Sequence, residues 1–150
     1  MPAFITFGRV LFAVLFIYSG ATKLFDVQST TNAIASKVAI PALLTPYTEQ
    51  LEAAAGGMKT PQMLALAVGI FEIVAGLMIA VNFGARFFAI LLIFFVLATT
   101  FYFHDFWNQP APQSTQVIID ALKNLSIIGA LFMIAGYGRG PRSSEPAYDV

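Results

Sequence analysis

Four stretches of the chain stay apolar for about twenty residues each, and polar, Pro- and Gly-bearing segments separate them. They run from Phe4 to Phe25, Gln62 to Phe83, Ala85 to Phe103 and Val117 to Tyr137. A helix needs about 20 mainly apolar residues to cross the hydrocarbon of a bilayer. The pattern therefore predicts an all-α integral membrane four-helix bundle. Thr60 and Pro61 mark the start of the second span, as N-cap and first helical residue. Asn82, Phe83 and Gly84 form a turn too short for anything but an antiparallel pair, so spans two and three are neighbours. The link at 104–116 is polar and holds two prolines.

The longest connection, 26–60, has weaker periodicity. Thr31 to Ile40 repeats apolar residues at helical spacing until Pro41 stops it, and Tyr47 to Ala55 forms a second short segment ended by Gly56 and Gly57. Both read as interfacial helices capping one end of the bundle. Residues 1–137 form one membrane domain, and 138–150 is expected to be a mobile C-terminal tail. The first span could pass for a signal peptide, but no basic residue precedes Arg9 and Lys23-Leu24 follow a poor cleavage site, so it is read as a retained helix.

Composition reinforces the membrane reading. Of 150 residues, 58% are hydrophobic and 11% charged, against about 25% charged in an average soluble domain. So small a chain cannot bury that much apolar surface within itself. A net charge of zero gives no basic face for nucleic acid. The chain has no cysteine, which excludes disulfides and iron–sulfur ligation on it. One histidine alone cannot build a typical transition-metal or haem site, so no metal is expected. Nucleotide-binding and serine-hydrolase motifs are absent. Arg9, Arg86, Arg139 and Arg142 gather near the span ends on the side of both termini. The opposite side has Lys37 and Lys59 in the long loop and Lys23 and Lys123 inside helix ends; with the two intramembrane lysines set aside, the positive-inside rule favours both termini in the cytoplasm.

Charges inside the spans cost about 2.5–3.5 kcal/mol each to insert, and their placement is informative. Arg9 and Lys23 share a helical stripe with Ala13, Phe16 and Gly20. Glu72 shares one with Ala65, Gly69 and Gly76, whose small side chains let another helix approach. Asp120, Lys123 and Asn124 fall on one face of span four. The spacing predicts an Arg9–Glu72–Lys123 polar core with spans one, two and four in contact. Such a network either carries function or fixes helix register without chemistry. A second group gathers at the loop-side mouth: Lys23, Asp26, Tyr102, His104, Asp105, Trp107 and Asp120. His104 beside Asp105 is a candidate proton relay and the catalytic candidate of the chain. Tyr102 and Trp107 fit an interfacial aromatic belt.

Arg9 and Phe16 followed by Ser19-Gly20-Ala21-Thr22-Lys23-Leu24-Phe25-Asp26 resemble the first helix of the DoxX family of small bacterial membrane proteins. Phe71-Glu72-Ile73-Val74-Ala75-Gly76-Leu77 with Gly84-Ala85-Arg86 is similar to that family's second helix and turn. Phe106-Trp107, Lys123-Asn124-Leu125 and the apolar run around Gly129 resemble its later region. The link at Pro41 to Thr60 departs from the pattern as added material. The resemblance implies a four-helix bundle in the bacterial cytoplasmic membrane associated with redox biology. It points to Arg9, Ser19, Lys23, Glu72, Trp107, Lys123 and Asn124.

Two functions follow. The first is an accessory or anchoring subunit of a larger membrane redox complex, with other membrane subunits and the lipid bilayer as partners, no cofactor on this chain and no catalysis by it alone. The second is a quinone- or quinol-binding oxidoreductase subunit, using His104, Asp105, Lys23 and Lys123 around an apolar slot. A small-solute or proton pathway ranks last, because four short spans leave little room for a gated cavity.

Overall fold

A computed structural model describes residues 3–108, 110 and 113–137. The chain begins with α1 (Ala3–Phe25), which passes through the single residue Asp26 into α2 (Val27–Lys37). A 3-10 turn (Ala42–Leu44) then leads into α3 (Thr45–Ala54), and α4 (Thr60–Ala80) and α5 (Ala85–Phe103) follow. A second 3-10 turn (Phe106–Asn108) precedes α6 (Gln113–Tyr137). α1, α4, α5 and α6 are long and apolar enough to cross a membrane. Their outward faces are apolar too, with Phe4, Phe87, Phe94, Phe101 and Phe132 exposed. In water that surface would be untenable. In lipid it is the ordinary exterior of an integral membrane four-helix bundle.

The two ends of the bundle differ. Residues near the N-terminus, the α4–α5 turn and the end of α6 share one end, called here the terminal end. α2, α3 and the described residues that follow α5, 104–108, share the other, the loop end. The α4–α5 turn is built as expected: Asn82 takes a left-handed φ of 59°, and Phe83 N–H donates to Met78 O at 2.9 Å. This is the six-to-one bond of a Schellman ending. Arg86 at the start of α5 donates to Gly136 O at 3.1 Å, tying that end of α6 to the turn.

Two close pairs make the bundle. α1 runs along α4, and α5 along α6, while α4 and α5 join the pairs through their turn. The α1–α4 seam relies on absent side chains. A Cβ on Gly20 would lie 2.5 Å from Gly69 O, and one on Gly76 would lie 3.1 Å from Ala13 O. Arg9, Ala13, Phe16 and Gly20 are the buried residues of α1, the same stripe that the sequence spacing predicts. The shared core gathers Phe16, Ala75, Ile79, Leu92, Ile93, Val96, Ile128 and Leu131 from all four spans.

Several boundaries move. α2 starts at Val27 and ends at Lys37, earlier than the 31–40 segment, because Asp26 caps it by accepting from Ser29 N–H at 3.0 Å. α3 covers Thr45–Ala54, one or two residues before the 47–55 expectation, and left-handed Gly56 and Gly57 end it. α4 includes Thr60 as its first residue, with Lys59 in the cap position. The capping acceptor comes from another helix: Glu52 of α3 accepts from Thr60 N–H and the Thr60 hydroxyl, both at 2.8 Å. α6 extends four residues before Val117, because Gln113–Gln116 adds a polar turn that an apolar window does not register. The 138–150 segment, with Arg139 and Arg142, lies outside the described residues.

Candidate functional site

The polar residues of α1 and α4 converge in the loop-end half of the bundle. Ser19 and Lys23 are one helical turn apart on α1, so both reach the same point on α4. Glu72 occupies that point. Lys23 Nζ donates to Glu72 Oε2 at 2.7 Å and to Ser19 Oγ at 2.6 Å. The Ser19 hydroxyl in turn donates to Glu72 Oε1 at 3.1 Å. The carboxylate thus has a partner on each oxygen, which a charge in a membrane interior requires. Its side chain is 4% exposed, while that of Lys23 is 27% exposed. The Lys23 side chain thus stays partly exposed, and it lines a cavity.

The cavity has a volume of about 460 Å³, within the usual size range of small-molecule sites. It lies between the α1–α4 pair and the α5–α6 pair. Ser19, Lys23 and Glu72 form its polar floor, and Phe16, Phe95 and Ile127 contribute apolar wall. Glu72 is twelve residues into α4, about 18 Å along the axis from the start of that helix, so the floor is near the middle of the membrane. Asn124 lines the cavity from α6 and donates to Thr100 Oγ1 at 2.9 Å. His104 lines it at the end of α5. The roof is α2, which brings Ser29, Thr30, Ala33 and buried Ile34 over the opening. Lys37 at the end of α2 reaches Asp105 at 3.6 Å and fastens that roof to the end of α5.

Of the residues singled out in the sequence, Ser19, Lys23, Glu72, Asn124 and His104 share this cavity. The Arg9–Glu72–Lys123 core is corrected. The cation on Glu72 is Lys23, whereas Lys123 pairs with Asp120 at 3.0 Å and its side chain is 64% exposed. The reason is rotational. Asn124 turns inward to Thr100, and its neighbour Lys123, about 100° around the helix, therefore points out. Asp120 also accepts from Gln116 at 3.1 Å and stays on that outer face. Spans one and two touch as expected, but the close partner of α6 is α5.

Arg9 is buried at 5% exposure, ten residues from Ser19 and so about 15 Å toward the terminal end. Asp105 is committed to Lys37, and Asp26 to the cap of α2. Tyr102 and Trp107 are exposed at the loop end and each packs against Phe101, at ring separations of 5.4 and 5.7 Å, as an interfacial belt would. Among the described residues no group of three His, Asp or Glu side chains could hold a metal ion.

The sequence placed a capping helix at this end without its start or its position over the cavity, and it left the Thr99–Thr100 pair unremarked. A signal existed for both: Asp26 three residues before Ser29 is a helix-start pattern, and two adjacent hydroxyls interrupt an otherwise apolar span.

The DoxX family profile matches residues 4–105, from the start of α1 to the end of α5. The chain belongs to the DoxX family. It is also 25% identical over 144 residues to the Escherichia coli (strain K12) protein named inner membrane protein YphA, covering 96% of this chain and 89% of that one. No solved structure matches the chain. The family match contains the whole Ser19–Lys23–Glu72 floor and His104, while α6 with Asn124 falls beyond it.

Proposed function

We propose that this DoxX-family chain is a quinone- or quinol-binding subunit of a membrane electron-transfer assembly in the bacterial inner membrane. The observation that supports it best is a membrane-depth cavity with apolar walls and the fixed Lys23–Ser19–Glu72 floor. A quinone head group needs a flat apolar slot with hydrogen-bond donors for its ring oxygens. A quinol needs acceptors for the corresponding hydroxyls. Lys23 and Asn124 carry donors, Glu72 and Ser19 carry acceptors, and His104 at the rim can do either. In this reading the chain binds and orients the carrier, and another subunit exchanges electrons with it, so the chain alone performs no catalysis. The YphA relative supports the inner membrane as the location. Arg9 and Arg86 at the terminal end support cytoplasmic termini.

An accessory or anchoring role is the second reading, and the exposed aromatic face of α5 supports it. The two readings are compatible, since a carrier-binding subunit also needs a neighbour.

The test is saturable binding of a short-chain quinone by the purified chain in mild detergent, read through Trp107 fluorescence. The wild type is expected to bind. A Lys23→Met, Glu72→Gln double substitution, which removes both charges together, is expected to weaken binding about tenfold, the worth of one hydrogen bond to a charged group. Equal binding by the double variant, or no saturable binding by the wild type, rejects the quinone reading.

A further inference from the structure

The polar groups that line the loop-end cavity direct their protons to one another and to backbone carbonyls. An ammonium has three N–H donors. Those of Lys23 meet Ser19 Oγ at 2.6 Å, Glu72 Oε2 at 2.7 Å and, in a longer contact, Ser19 O at 3.4 Å. The Ser19 hydroxyl proton goes to Glu72 Oε1 at 3.1 Å. On α5 the Thr99 hydroxyl donates to Val96 O at 3.1 Å, a back-bond of the kind helical threonines make. Ser19, Lys23 and Thr99 therefore hold their side-chain protons within the chain. Asn124 on α6 differs. The Thr100 hydroxyl donates to Val96 O at 2.7 Å, so it accepts from Asn124 Nδ2 at 2.9 Å. That bond fixes which way the amide is turned, commits one of its N–H donors and leaves the second.

Acceptors remain on the same residues. A carboxylate has about four lone-pair sites, and Glu72 fills them in part with Ser19 and Lys23. The Ser19 and Thr99 oxygens each keep a lone pair, and Asn124 keeps its Oδ1. Ser19, Lys23, Glu72, Thr99 and Asn124 all line the cavity. A ligand that accepts hydrogen bonds thus meets one spare donor among them, the Asn124 amide. A ligand that donates meets several acceptors. Ser29 on the roof and His104 at the end of α5 can take either role.

A quinone and its quinol differ in this respect. The ring oxygens of a quinone only accept, whereas the hydroxyls of a quinol donate. Acceptor set against acceptor in an apolar surrounding leaves both unpaired, and a site built for a hydroxyl rejects an analogue without one for that reason. For a quinone carbonyl to bond at the floor, Lys23 must withdraw a proton from Ser19 or Glu72.

We infer that the loop-end cavity selects the reduced carrier, taking a quinol about tenfold more tightly than the matching quinone, the effect of one hydrogen bond made or left unmade. This rests on the carrier-binding reading above and adds to it the redox state of the carrier. A tenfold preference for the reduced form raises the two-electron midpoint potential of the bound couple by about 30 mV.

The experiment uses the full chain in mild detergent under argon, with duroquinone and duroquinol as probes. Equilibrium dialysis gives the Kd of each form, and a redox titration of the bound couple gives the potential shift independently. Duroquinol is expected to bind about tenfold more tightly. Two substitutions should move that preference in opposite directions. Ser19→Ala frees the Lys23 proton now held by Ser19 Oγ and keeps the Lys23–Glu72 pair. Duroquinone should then bind more tightly and the preference narrow to about threefold. Asn124→Leu removes the spare amide donor, so duroquinone should weaken, while duroquinol keeps the acceptors of the floor and the preference widens. Thermal unfolding shows which variants are folded, and should Asn124→Leu not fold, Ser19→Ala decides alone. Equal affinities in the wild type, tighter duroquinone, or a preference unmoved by Ser19→Ala overturns this inference and leaves the carrier reading standing. Saturable binding of neither form rejects the carrier reading, and this inference with it.

Discussion

Glu52 shows how much a single half-buried carboxylate can organise. Its two oxygens bind Lys59 Nζ at 3.0 Å and both donors of Thr60 at 2.8 Å, so α3 caps the first turn of α4 where the helix dipole favours negative charge. The Thr60 backbone N–H, then the Lys59 ammonium and the Thr60 hydroxyl, hold the Glu52 carboxyl down at about 2 from an ordinary 4.5. A depressed folded-state pKa gives stability that is complete above the unfolded value and is lost as pH falls toward the folded one. Thermal unfolding in detergent should therefore show this contribution at pH 7 and its decline between pH 4.5 and about 2. Glu52→Gln should lower the unfolding temperature at pH 7 and flatten that decline. A variant with the full wild-type acid dependence would show that the cap does not carry it. At this same scale the sequence was only half legible. The spacing of Lys23, Glu72 and Asn124 put each on an inward stripe, and the family resemblance pointed to Ser19. Which cation met the carboxylate was hidden, because it depends on the rotation of α6 about its axis. One step of about 100° separates Asn124, which is inside, from Lys123, which is outside.

At the scale of elements, the spans were legible because lipid demands long apolar runs, and the α1–α4 contact because small residues recur on both faces. The α2 roof was legible only in part: a capping helix was expected over 31–40, but its start was not, since the helix is polar on the outside and buries only Ile34. Its start was encoded in a cap instead of a periodicity. The close α1–α4 seam makes a contrast between two helical glycines decisive. A Cβ at Gly20 would meet Gly69 O at 2.5 Å, backbone that cannot swing aside, whereas a Cβ at Gly129 meets nothing within 4 Å. Gly20→Ala should therefore destabilise the protein by about 1–3 kcal/mol through overpacking. Gly129→Ala should be neutral or stabilise by up to about 0.5–1 kcal/mol, the usual helical preference for alanine. Unfolding midpoints in one detergent compare them directly. A similar cost for both would mean that helix propensity and not close backbone approach governs the seam.

For the whole molecule, the two-pair architecture leaves α1 and α6 as the helices whose facing sides are separated by cavities at both ends of the membrane. A lipid-soluble ligand needs no aqueous entrance to such an interior, because it can arrive sideways from the bilayer between these helices. Under α2, with Lys37 fastened to Asp105, the path from water is the more obstructed one. The consequence is a distinct signature in a cross-linked protein. The chain contains no cysteine, so Leu15→Cys and Ile127→Cys, both in the cavity wall, create a unique pair across the gap. Bridging them with a short thiol-reactive cross-linker should slow quinone binding sharply while leaving Lys23, Ser19 and Glu72 untouched, and a reducible linker should restore the rate on cleavage. Tethering Lys37→Cys to Asp105→Cys, which pins the roof, should leave the binding rate near that of the wild type. The opposite ranking, with the pinned roof blocking and the bridged gap permissive, would place the entrance under α2 and make that helix the gate.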